Sequence, residues 1–127
     1  MPEAERTDSI RQAINLGVEF LLQVGPQHPK WPGDKLISPY WHRLMVPLLY
    51  QSDLLHLAEA LAAVGAIDDP RAEAFIDYIL SKRNADGSWN LEFSIPSLAG
   101  SFGPIEKPNK WVTLRALRVL EAAGRDD

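Results

Sequence analysis

Apolar residues recur at helical spacing in four stretches of the chain. Ile10, Ile14, Val18, Leu21 and Leu22 define the first, a predicted helix from about Ser9 to Val24, capped by Asp8 or Ser9 and stopped at Gly25. Leu54, Leu57, Ala58 and Leu61 mark a second over about Ser52 to Val64, closed by Gly65. A third starts at Asp69-Pro70: Asp caps, and proline takes the first helical position, where its missing amide costs nothing. Its inward face is Ala72, Phe75, Ile76 and Ile79. The fourth runs from about Lys110 to Ala123 and stops at Gly124, with Val112, Ala116, Leu117 and Leu120 inward and Arg115, Arg118 and Glu121 in water. No segment shows convincing strand alternation. The nearest, Leu91 to Ile95, ends at Pro96 and reads as loop. The expected class is all-α.

Proline marks the breaks between these helices, because it lacks an amide donor and clashes with the preceding turn. Five prolines lie between residues 26 and 47 and three between 96 and 108. The two connections, about 25–51 and 84–110, are too long to be structureless in a compact domain, so they carry local structure or line a site. In the first, Ser38-Pro39-Tyr40-Trp41-His42-Arg43 has the cap-then-proline signature of a short helix. In the second, Leu98 to Gly103 reads as a mobile lid or a disordered tip.

The chain also matches itself. A shift of 58 places Phe20-Leu21-Leu22 on Tyr78-Ile79-Leu80 and Trp31 on Trp89, and a shift of 59 places Leu61 on Leu120 and Gly65 on Gly124. The expected unit is a helix, a long loop with an early Trp, a second helix and a glycine. One domain, 1–127, would hold two such units, about 9–65 and 70–124.

Leu80-Ser-Lys-Arg-Asn-Ala-Asp-Gly-Ser-Trp89 resembles the Gln-Trp repeat of squalene-hopene cyclases and related terpene cyclases and prenyltransferases, in which Asp-Gly-x-Trp follows an outer helix ending in Gln. Tyr50 to Leu55, Gly65 to Arg71 and Trp111 to Leu120 look like the helices around it. The resemblance covers about 47–124 closely and 9–46 loosely. It implies helical-hairpin repeats of the α/α-toroid type, here two repeats and so a partial toroid, around an apolar, isoprenoid-binding concavity. The departures bear on chemistry. Arg83 and Gly25 stand where the repeat has Gln, and the family's Asp-x-Asp-Asp acid and Asp-Asp-x-x-Asp diphosphate motifs are missing. The zinc set of the protein prenyltransferases needs a Cys, and the chain has none. The resemblance thus implies a non-catalytic or catalytically incomplete member; the alternatives are a fragment of an isoprenoid-processing enzyme and a protein-interaction module.

Composition narrows the class without naming a reaction. The chain has 127 residues, 46% hydrophobic and 24% charged, as expected of a globular domain rather than a disordered one. Seventeen acids against thirteen bases, with no basic block, argue against a nucleic-acid partner. Asp53, His56 and Glu59 interrupt the most apolar stretch, so no membrane span is expected. Met1-Pro-Glu-Ala-Glu-Arg lacks a signal-peptide pattern, and a cytoplasmic location is the expectation.

The candidate ligand-binding residues are Tyr40, Trp41, His42, Tyr50, Asp53 and Trp111. His42, flanked by aromatics and Arg43, is either a general acid-base group or a loop anchor. Asp53 is either a residue at the positive end of its helix or a carboxylate facing the cavity. Trp41 and Trp111 are candidates for an aromatic cavity wall, whereas Trp31 and Trp89 read as pins for their loops. Asp68 and Asp69 read as caps and Asp86-Gly87 as a turn. His28, His42 and His56 lie fourteen residues apart, not at the spacing of a metal site, and neither metal nor cofactor is expected. Two hairpins leave two open apolar ends, so a homo-oligomer, most simply a dimer, is expected through Leu44, Met45, Leu48 and Leu49, with Trp41 and Trp111 nearby.

Overall fold

The first, second and fourth helices begin where a polar side chain satisfies free amides, and the third grows out of a turn capped in the same way. Helix α1, Asp8–Val24, is capped by Thr7, which accepts the Ile10 N–H, and ends at Gly25 with φ 64°. Helix α2, Leu54–Ala63, is capped by Asp53. Asp69 accepts the Arg71 N–H at the head of a 3₁₀ turn, Pro70–Ala72, that runs into α3, Glu73–Ser81. Helix α4, Lys110–Ala122, is capped by Asn109. The computed structural model describes residues 1–26, 30–31, 35–36, 38–49, 51–95 and 101–125. Tyr50 and His28, and residues 98–100 of the expected lid, lie outside them.

The fold is not all-α. Strand β1, Lys30–Trp31, pairs antiparallel with β2, Lys35–Leu36, and β3, Asn90–Leu91, pairs antiparallel with β4, Lys107–Pro108. Met45 and Phe93 add a parallel bridge. Strands of two residues are too short to show alternation, so hydrophobic patterning cannot reveal them. Leu91, in the segment read as loop, is buried in the core.

Nor does the chain form two equivalent toroid hairpins. Helices α2, α3 and α4 share one core, built on Leu54, Leu61, Phe75, Ile79, Val112 and Leu120. Loop residues Leu44, Val46, Trp89 and Leu91 complete it. Of α1, Leu22 alone is buried. That helix rests on the Pro70–Ala72 turn and stands off α2 across a 160 Å³ apolar gap between Ile14, Gly17, Val18 and Leu21 on one side and Ala60, Leu61 and Val64 on the other. Arg71 ties Glu19 of α1 to Asp69 at the surface, where ion pairs add little. Amphipathic spacing says that a helix buries a face, not what it buries that face against.

Three smaller expectations change as well. Residues 38–43 form consecutive turns, with Trp41 N–H donating to Ser38 and Arg43 N–H to Tyr40, rather than a short helix. On α4, Val119 is buried and Leu117 is exposed. Leu44 and Met45, expected at a subunit contact, are 0% and 2% exposed and belong to the interior.

Candidate functional site

Asp53 sits fully buried at the head of α2. One carboxylate oxygen accepts the His56 N–H at 2.7 Å and the other the Met45 N–H at 2.8 Å. Arg115, from the middle of α4, reaches the same carboxylate at 3.0 and 3.1 Å. Its remaining N–H groups go to Glu59 of α2, at 2.8 to 3.1 Å, and to the Met45 carbonyl at 2.7 Å. All five guanidinium donors are therefore engaged. Burial opposes the Arg115 charge, but Glu59 and Asp53 outweigh it and hold its pKa above the ordinary value. The cluster clamps Leu44–Val46 between α2 and α4. As an acid, Asp53 would first have to release Arg115 and two backbone amides. Arg115 was expected in water; at 100° per residue it lies about 40° from Val119, on the border of the buried arc.

A second clamp holds the other side of this loop. Lys82 donates to both oxygens of Glu92, at 2.6 and 2.7 Å, and to the His42 carbonyl at 2.7 Å, which also accepts the Tyr78 hydroxyl. Glu92 in turn accepts the Leu44 N–H at 2.6 Å. Burial works against the Lys82 charge, yet its hydrogen bonds to Glu92 and Tyr78 leave its pKa raised. The His42 ring lies 5.6 Å from the Tyr78 ring. Burial, then the Lys82 charge, push its pKa below 6.5, against a smaller opposing effect of Glu92.

This shift has a pH signature. The unfolded chain takes up a proton at His42 as pH falls through 6.5, while the folded protein resists until its lower pKa is reached. Stability contributed by neutral His42 is thus complete above about 6.5 and is lost as pH falls from there through the lower folded value. Between pH 7.5 and 5.5, urea midpoints of the native chain should fall more than those of His42→Gln. Equal losses in the two proteins would show that His42 does not carry the effect.

The remaining candidates are distributed rather than gathered. Tyr40 stacks on Phe93, with centroids 4.3 Å apart. Trp41 is half-buried against the core, and its carbonyl accepts the Leu54 N–H. Trp111 lines a cavity beside the Arg115 clamp. That cavity is an open cleft of about 370 Å³ bounded by Val46, Phe102, Trp111, Leu114, Arg115 and Arg118.

The cleft is assembled by Asn109. Its Oδ1 accepts the Trp111 and Val112 amides, starting α4, while its Nδ2 donates to the Phe102 carbonyl at 2.7 Å. The 101–103 segment is thereby fixed beside the outer face of α4. Gly103 has φ +122°, and a Cβ there would meet Asn109 Nδ2 at 3.1 Å, so glycine permits this approach. The Lys110 ammonium lies 5.1 Å from the Trp111 ring centre. Behind Arg118, a second recess of about 350 Å³ opens between α2 and α4, lined also by Glu59, Ala62, Ala63, Val119 and Ala122.

Sequence reasoning missed Val46, Phe102, Leu114 and Arg118, which come from three distant segments. Asn109 carried an unused signal, since an Asn immediately preceding an apolar-periodic run marks a helix cap. Among the described residues, no three His, Asp or Glu side chains gather as a metal site, and no helix is long and apolar enough to cross a membrane. No family model matches the chain, and neither a curated protein nor a solved structure matches it.

Proposed function

We propose that this chain is a non-catalytic binding module that takes one apolar or amphiphilic small molecule in the cleft beside α4. The observation that carries the reading is the cleft's lining. Val46, Phe102, Trp111 and Leu114 form apolar walls on a rigid helix and a hydrogen-bonded loop, in a volume at the lower end of small-ligand sites. Trp111 and Leu114 are 46% and 42% exposed, so a ligand would remove apolar surface from water that the fold leaves wet. The isoprenoid class is suggested by the Asp86-Gly-Ser-Trp89 resemblance alone. The polar clusters support binding over catalysis, because Asp53, Glu59 and Arg115 are committed to one another.

A second reading, self-association, is favoured by apolar faces on both flanks of α2. Leu16 and Phe20 are exposed on α1, and Trp111, Leu114 and Leu117 on α4. Both readings are separated by titrating farnesol or dodecan-1-ol into the protein while following tryptophan emission and sedimentation. The binding reading expects a saturable change that Trp111→Phe removes and that Leu114→Glu abolishes with unchanged circular dichroism. No saturable change, with a sedimenting dimer lost in Leu114→Glu, would replace it by self-association.

A further inference from the structure

The cleft is not electrically neutral in its setting. Among the described residues, its polar lining consists of two guanidiniums and no carboxylate. Arg115 has no donor to spare, since Asp53, Glu59 and the Met45 carbonyl take them all. Arg118 is different. It is exposed at the lip, one helical turn beyond Leu114, and makes no ion pair or side-chain hydrogen bond among the described residues. Lys110 rests over Trp111, which lines the cleft, and adds beside it a second positive charge, unpaired among the described residues. Asp53 and Glu59 balance the charge of Arg115, so Arg118 and Lys110 are the cations that edge this apolar surface.

We infer that the ligand is an anionic amphiphile, its chain lying along Val46, Phe102, Trp111 and Leu114 and its carboxylate or phosphate head held by Arg118. The inference rests on the binding reading above and adds the charge of the ligand to it. A planar guanidinium suits an oxyanion because it offers two parallel N–H donors, and such charge-assisted bonds are the strong ones. The walls supply affinity for any chain of suitable length, and Arg118 supplies selection among heads. A single molecule fits better than a lipid surface because the lining is concave.

Three probes of one chain length test this: dodecanoate, dodecan-1-ol and dodecyltrimethylammonium, each below its micelle concentration, titrated against Trp111 emission. Dodecanoate should bind roughly tenfold or more tightly than dodecan-1-ol, and the ammonium most weakly. Arg118→Gln should bring dodecanoate to the level of dodecan-1-ol and should weaken the acid far more than the alcohol. Added salt should weaken dodecanoate alone. Equal binding of acid and alcohol to the native protein, or a preference that survives Arg118→Gln, overturns the inference and leaves the apolar cleft standing. Binding of none of the three overturns the binding reading itself. Sedimentation with anionic phospholipid vesicles, without binding of monomeric dodecanoate, replaces the single molecule by a lipid surface.

Discussion

Replacing Arg115 by methionine is expected to lower the unfolding free energy by about 3–5 kcal/mol, a large share of the stability of a small domain. Methionine keeps much of the volume, so the loss does not come from a cavity. It comes from Asp53, fully buried, which would keep its negative charge with two amides and no cation. The Met45 carbonyl would also lose its donor at 2.7 Å, and an unmet buried acceptor adds to the cost. Glu59 matters less, being part-exposed and able to turn to water. The double variant Arg115→Met with Asp53→Asn should recover part of the loss, since the amide oxygen still caps α2 and no charge remains inside. Urea unfolding with an unchanged slope measures each step. A loss below about 1 kcal/mol for Arg115→Met would mean that the pair behaves as a solvated surface bridge.

Trp89→Ala should cost about 3–5 kcal/mol, through the cavity left by the largest fully buried side chain. The residue joins elements as well as filling space. Its indole N–H donates to the Ile79 carbonyl near the end of α3 at 2.7 Å. Its backbone N–H donates to the Thr113 hydroxyl and its carbonyl accepts the Asn109 N–H, both at the start of α4. Arg83 lies over the ring, 5.4 Å from its centre. Trp89→Phe should cost less, about 1–3 kcal/mol, because most of the volume remains while the Ile79 carbonyl loses its partner. Thermal unfolding of the two variants gives the comparison. Equal costs for Ala and Phe would show that the indole hydrogen bond, not packing, dominates.

The difference between Trp89 and Arg115 shows what could be read without coordinates. Trp89, placed beyond a helix and an Asp-Gly turn, was legible as a loop pin because rings of that size seldom stay wet. Helix ends were legible for a similar local reason: Asp69-Pro70 starts a helix, and Gly25, Gly65 and Gly124 adopt positive φ at its stops. Arg115 was not legible, because its burial depends on Asp53 and Glu59 arriving from more than fifty residues away. The exchange of Leu117 for Val119 has the same origin. The apolar arc of α4 is wide, and only the position of α2 and α3 decides which side of it is covered. The ribbons were invisible because their pairing is a backbone matter settled over two residues. The cleft escaped for the most general reason. Val46, Phe102 and Leu114 carry no motif, and their meeting is made by Asn109 and by the clamp on Met45.

Nuclear magnetic resonance tests the central claim, that the outer face of α4 is a ligand site, most directly. Isotope-labelled protein titrated with dodecan-1-ol should show its largest shifts at the Trp111 indole N–H, the Phe102 ring and the methyls of Val46 and Leu114, with Leu16 and Phe20 of α1 unmoved. Shifts centred on Leu16 and Phe20, or spread evenly over the exposed apolar residues, would contradict it.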